Sequence, residues 1–254
     1  MHTHIPLKLN LGYRKERRRK FNMEWRKYYL DMTLVPLGFF ITFGYHVWLW
    51  HKTRTDPSST TIGINAHGRR LWVPAMLKDI EKKNILVAQS LRNLIMGSTL
   101  MATTSILLSA GLAAVISSTY SVKKPLDDLV YGAHSEFMVA LKYVTLLTTF
   151  LFSFFCHTLS IRFLNQLAIL TCTPQDAMSL VTPEYLVEIF ERGITLNTVG
   201  NRIFYSALPL LLWIVGPVLV FLCYIVMLPM FYNLDFVSGS GKTKIEVNGK
   251  KDYV

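Results

Sequence analysis

Four stretches of this chain stay apolar over the length a helix needs to cross a bilayer, and no other feature of the sequence limits its fold so tightly. Hydrocarbon about 30 Å thick takes roughly 20 helical residues, and inside it only a helix or a closed barrel pairs every backbone N–H and C=O. The first stretch runs from about Leu30 to Trp50, with Trp25, Tyr28 and Tyr29 before it and Trp48 and Trp50 at its end, like an aromatic belt at headgroup level. The second, from about Leu94 to Tyr120, is rich in small residues: Gly97, Ser98, Ser105, Ser109, Ala110 and Gly111. Small side chains let helix backbones approach closely, so Gly97 and Gly111 are candidate helix-packing positions. The third, from about Phe137 to Ile161 and on toward Leu170, is dense in Phe and Leu and reads as lipid-facing over much of its surface. The fourth, from about Ile203 to Tyr232, holds Pro209, Gly216-Pro217 and Pro229. Each proline removes a helical hydrogen bond, so one kinked span is expected, with Pro209, Gly216 and Pro217 as its candidate kink.

Composition agrees. The 254 residues are 51% hydrophobic and 17% charged, where soluble domains carry about 25% charged residues. The net charge of +11 sits beside the apolar runs rather than in a polar domain, which points to the lipid bilayer and its anionic headgroups as partners and away from nucleic acid. Cys156, Cys172 and Cys223 are far apart and odd in number, giving neither a disulfide framework nor a Cys-x-x-Cys metal site. Seven Lys or Arg fall between Lys8 and Lys20 with no apolar core, so the first 22 residues are not a cleaved secretory signal.

Two of the connections are long. In residues 51 to 92 a polar Thr/Ser/Pro segment gives way at Pro74 to Met76, Leu77, Ile80, Asn84, Val87 and Leu91 at helical spacing. Pro74 suits a first helical turn, so an amphipathic helix running into the second span is expected. Residues 162 to 202 carry Thr173-Pro174 and Thr182-Pro183, each readable as an N-cap followed by proline. After Pro183, Leu186, Ile189, Phe190 and Ile194 make an apolar stripe opposite Glu184, Glu188, Glu191 and Arg192, describing a short interfacial or surface helix. The connection from Ser121 to Glu136 is short, and the polar tail from Ser238 is expected to be disordered.

The excess of Lys and Arg on cytoplasmic flanks gives two answers here. One orientation places Lys8 to Lys27, Lys123, Lys124 and the tail lysines inside; the other places Lys52, Arg54, Arg69, Arg70, Lys78, Lys82, Lys83 and Arg92 there with Arg162, Arg192 and Arg202. Met23 opens Met-Glu-Trp-Arg-Lys-Tyr-Tyr, a natural start that would favour the second.

Ionisable groups in spans are costly and often functional. His46 and His157 are placed toward span ends as interfacial hydrogen-bonding groups, and Asp31 and Lys142 near enough to ends to snorkel or face water. Gln89, Arg92 and Asn93 before the second span echo Asn197, Asn201 and Arg202 before the fourth, a short match that a duplicated hairpin would bring to one membrane face. Those six form the candidate polar cluster at a membrane boundary: a mouth or anion contact, or arginines anchoring helix ends to phosphates. No hydrolase elbow, Walker loop, dinucleotide fingerprint or zinc motif appears, so no catalytic, cofactor-binding or metal residue is named.

The residues Glu24-Trp25, Tyr29-Leu30-Asp31, Val35-Pro36-Leu37, Gly44-Tyr45-His46, Gly63-Ile64-Asn65, Arg69 to Val73, Asn84-Ile85-Leu86, Gln89 to Asn93, Ala207-Leu208-Pro209 and Gly216-Pro217 carry a resemblance. The chain resembles an uncharacterised plant membrane family with bacterial relatives, domain of unknown function 599, over about residues 23 to 237. That resemblance implies a four-span protein and carries over no activity, ligand or catalytic residue.

The expectation is therefore an all-α integral membrane bundle of about four transmembrane helices, with amphipathic helices in its two long loops. Residues 1–22 form a basic extension, 23–237 the membrane domain and 238–254 a polar tail. A homo-oligomer is expected from the small-residue span, in the plasma membrane or else an endomembrane. Two functions stay open: a non-catalytic scaffold or regulatory module, and a channel or transporter subunit with a mouth at Arg92, Asn93, Asn201 and Arg202.

Overall fold

The computed structural model describes the backbone over residues 7–78, 80–122, 136–172 and 181–237, and side chains over 29–78, 82–118, 138–172 and 181–237. The expectations for most of the 121–136 connection, for Thr173-Pro174 and for the tail fall outside these residues. Six α-helices make up the described chain: α1 Leu7–Thr55, α2 Thr61–Leu77, α3 Ile80–Val122, α4 Glu136–Thr171, α5 Pro183–Leu211 and α6 Pro217–Asp235. Within them Tyr29–Thr55, Lys82–Ser118, Met138–Thr171 and Pro217–Asp235 are long and apolar enough to cross a membrane, as the hydropathy pattern requires.

The helices form two groups. Ser105 of α3 meets Ser153 of α4, while Ser153, His157 and Ser160 of α4 meet Gly200, Asn197 and Gly193 of α5, so α3, α4 and α5 run antiparallel in turn. Their shared contact along the axis includes Leu146 and Phe150, which are fully buried. By contrast α1 and α6 run parallel. Tyr224 lies over Gly38, Tyr45 meets Phe231, and Trp48 meets Tyr232. Gly38 is needed there, because a Cβ would come within 2.6 Å of the Tyr224 ring.

The fourth span is where structure and sequence part. Ile203 to Tyr232 is not one kinked helix. It is the end of α5, a 3₁₀ turn at Leu212–Ile214 and then α6, folded back so that Arg202 meets Asp235 and Tyr205 meets Phe231. Gly216 is extended (φ 172°, ψ 153°) and Pro217, having no N–H to donate, starts the new helix. Of the expected kink residues, Gly216 and Pro217 thus form a reversal. Pro209 stays inside α5, buried in its last turn.

This reversal makes α5 a fifth rod beside the four apolar ones, and the short helix expected after Pro183 continues for 29 residues. Its start follows the local signals: Thr182 accepts from the Tyr185 N–H at 3.3 Å, with proline in the first turn. Leu186, Ile189 and Phe190 are buried as the stripe demands, while Glu188 and Arg192 are exposed and pair at 2.5 Å. Because α1 and α6 are parallel, the ends of both lie at one face of the bundle. That face is called the Asp235 end below, and the opposite one, where α1 and α4 begin their apolar stretches, the Asp31 end.

At the Asp235 end the chain folds a helical cap. Residues 57–61 pair with the end of α6 through Val237 N–H to Ser59 O (3.2 Å) and Thr61 Oγ1 to Leu234 O (2.9 Å). Thr60 caps α2 by accepting from the Gly63 N–H at 3.2 Å. Pro74 is consequently not the first turn of a new helix, as its flanking pattern suggests, but lies in the last turns of α2. Val73 of α2, Val87 and Leu91 of α3, Leu164 and Leu167 of α4 and Leu186 of α5 close one apolar cluster. Arg69 holds Glu191 by two hydrogen bonds, at 2.9 and 3.1 Å, fixing α2 across α5.

Candidate functional site

Lipid gives a helix little hydrophobic reason to leave it, so polar contacts between spans carry much of the specificity of a membrane bundle. Three clusters supply them. The first joins the two helix groups at the Asp31 end. Asp31 is 1% exposed, Lys142 lies 3.7 Å from it, and the Trp213 indole N–H donates to it at 2.9 Å. The expectation that Asp31 and Lys142 face water or snorkel is thus corrected: they come from α1 and α4 to share one buried pair. Both sit close to the starts of apolar spans, where the sequence suggests solvent, but each is covered by the other's helix and by the turn after α5.

The second cluster lies near the Asp235 end. Arg202 of α5 pairs with Asp235 of α6, whose other oxygen accepts from the Tyr45 hydroxyl of α1 at 2.7 Å. The Arg202 guanidinium lies 5.1 Å from the centroid of Phe231, against which His46 also rests. One carboxylate therefore binds three helices together.

The third is the interior of the α3–α4–α5 layer. His157 is completely buried near the middle of α4, not at a span end. Its Nδ1–H donates to Asn197 Oδ1 at 3.1 Å, and Ser98 of α3 donates to the same oxygen at 3.1 Å. The Nε2 edge has no partner and rests on Gly200, where a Cβ would come within 2.8 Å of it. Either side, Ser153 donates to the Gly200 carbonyl (3.0 Å) and Ser160 to the Gly193 carbonyl (2.7 Å), so serine-to-glycine contacts repeat one heptad apart along the α4–α5 seam. Gly200→Ala is expected to cost about 1–3 kcal/mol by overpacking the imidazole, read as a lower unfolding midpoint in detergent. Gly44→Ala, on an open face with nothing within 4 Å of the added carbon, should be near neutral.

The six boundary residues named from sequence are not brought together. Gln89, Arg92 and Asn93 are exposed on α3, whereas Asn197 and Arg202 belong to the third and second clusters and Asn201 is half-buried between them. Ser105, Ser153 and Gly200 lie at one level, which sets Arg92 and Arg202 roughly 20 Å apart along the bundle at 1.5 Å per residue. Gly97 and Gly111 point away from the molecule, with nothing within 4 Å of an added Cβ. Between the long helices the close contacts are made instead by Gly38, Gly193 and Gly200, and Gly63 lies tightly against Pro57 in the cap. For Gly193 and Gly200 the signal lies in their heptad spacing, matched by that of Ser153 with Ser160. Among the described residues no three His, Cys, Asp or Glu side chains group to hold a metal, and the three cysteines are free.

A family model described as "Protein of unknown function, DUF599" matches residues 33–240, most of the chain. The chain belongs to the DUF599 family. No curated protein and no solved structure matches it. The DUF599 match spans both partners of the Arg202–Asp235 pair, all of the His157–Asn197–Ser98 cluster, and the Lys142 and Trp213 that enclose Asp31. It therefore covers the polar contacts that give this DUF599 bundle its register, and it brings no activity with it.

Proposed function

We propose that this DUF599 protein is a non-catalytic membrane module, a scaffold or regulator whose working surface is the helical cap at the Asp235 end. The cap itself is the observation that carries this reading. It is a packed layer of α2 with the ends of α3, α4 and α5, it has its own apolar cluster, and it displays Arg54, Arg70, Lys78, Lys82, Arg92 and Arg192 on its outside. Polar groups deeper in the bundle are engaged chiefly in holding helices to one another, which suits a rigid support. The same basic residues favour an orientation with the cap in the cytoplasm, against anionic headgroups of the inner leaflet of the plasma membrane. A homo-oligomer is part of the proposal: Gly97, Leu100, Leu107 and Gly111 form an exposed stripe on α3 that a second copy could pack against.

Charge reversal of the cap tests the reading. With a biotin ligase fused after α6, Arg70→Glu, Lys78→Glu and Lys82→Glu together should remove a defined set of labelled neighbours while leaving the detergent unfolding midpoint unchanged. Ion flux in liposomes above that of protein-free vesicles, abolished by Arg202→Ala, would instead establish a conducting subunit and overturn the proposal.

A further inference from the structure

Between α1 and α6, on the side turned away from the other helices, lies an open groove of about 540 Å³, within the ~300–1,000 Å³ of small-molecule sites. Ile41, Gly44 and Trp48 of α1 form one wall and Pro229 and Tyr232 of α6 the other, with the Tyr45 ring as floor. The groove exists because Gly44 has no side chain, and open space surrounds the position its Cβ would take. Tyr45 turns its hydroxyl inward to Asp235, so the floor it presents is ring carbon.

Both walls belong to membrane-spanning segments, and Trp48 stacks on Tyr232 (6.5 Å, 10°) at the end where such aromatics mark the headgroup level. One turn beyond Trp48 on the same face of α1 stands Lys52, its side chain 39% exposed and its ammonium in a half-exposed i,i+4 pair with Asp56 at 3.4 Å, a contact weak enough to exchange for a phosphate. Asn233 adds a polar group at the rim. An apolar slot closed at its outer end by a cation matches an amphiphile with a hydrocarbon tail and a negative head.

We propose that this groove holds one acyl chain of an anionic phospholipid from the Asp235-end leaflet, with Lys52 meeting its phosphate. Gly44 sets the room for the chain, and Lys52 sets the preference for charge.

The test uses the full chain reconstituted in phosphatidylcholine vesicles, alongside a Trp48→Phe variant, so that the difference in tryptophan quenching isolates Trp48. Chain-brominated phosphatidylglycerol and chain-brominated phosphatidylcholine are titrated separately. Trp48 should be half-quenched at about a fivefold lower mole fraction of the anionic lipid, the weight of one lysine near an anionic surface. Gly44→Phe, whose Cβ has open space around it and whose ring would occupy the groove, should abolish that preference. Lys52→Gln should make the two curves coincide while both lipids still quench. Equal curves in the unmodified chain, or a preference that survives Gly44→Phe, would overturn the proposal. So would a Trp48 that neither lipid reaches, since a second copy of the chain would then cover the groove.

Discussion

Lys142→Met is expected to lower the stability of the folded chain by about 3–5 kcal/mol, because it strands the Asp31 carboxylate in the interior without its cation. Asp31 is 1% exposed, and the Trp213 N–H that also donates to it is a neutral donor, which does not replace the charge of the lysine. Asp31→Asn should cost less. It leaves a lysine whose four-carbon stem can carry the ammonium toward the nearby end of the bundle. Asp31→Leu combined with Lys142→Met should recover most of the loss, since a buried pair replaced by apolar groups is often neutral or better. The measurement is an unfolding titration in mixed detergent micelles. A Lys142→Met protein as stable as its parent would mean that the pair does not hold the two helix groups together.

Asp235→Ala should be nearly as damaging, about 3 kcal/mol, for a related reason. It removes the partner of both the Arg202 guanidinium and the Tyr45 hydroxyl, and Arg202 is already short of one, its Nη1 being buried without an acceptor. Asp235→Asn keeps an acceptor but loses the charge, so it should fall between Asp235→Ala and the parent. The loss should be local first. The turn at residues 57–60 is tied to the last residues of α6, so limited proteolysis should cut there before the rest of the chain unfolds. Cleavage elsewhere at the same rate would argue that Asp235 stabilises only the global fold.

The apolar helices were legible from hydropathy because lipid imposes a length and a composition that nothing else in the sequence imitates. What hydropathy could not show was direction. The run from Ile203 to Tyr232 has the average hydrophobicity of a span, yet about 30 residues of helix would measure roughly 45 Å, too long for about 30 Å of hydrocarbon without a bend. That excess length was the available sign of a reversal at Gly216-Pro217. The α5 rod was harder to see, because Glu188, Glu191, Arg192 and Arg202 break its apolar content, and Glu191 and Arg202 find their partners only on α2 and α6.

The polar clusters were the least legible. Asp31 and Lys142, Arg69 and Glu191, and Ser98 and Asn197 are each far apart in sequence, and no local spacing announces any of these pairs. The resemblance between the segments around Arg92 and Arg202 was real as letters. It failed to specify a place because the two segments enter the bundle at different depths.

Because α1 packs against α6, a hydrophobic segment made before α3, α4 and α5 finds its main neighbour in one made after them. Until Lys142 and Trp213 emerge, the Asp31 carboxylate must wait in the membrane without them, and the seat for Tyr224 on Gly38 stays empty until α6 is made. A chain cut before α6 would leave the α1 face at Gly38, Tyr45 and Trp48 without its neighbour, so such a truncation is expected to give an incomplete bundle rather than a smaller stable one.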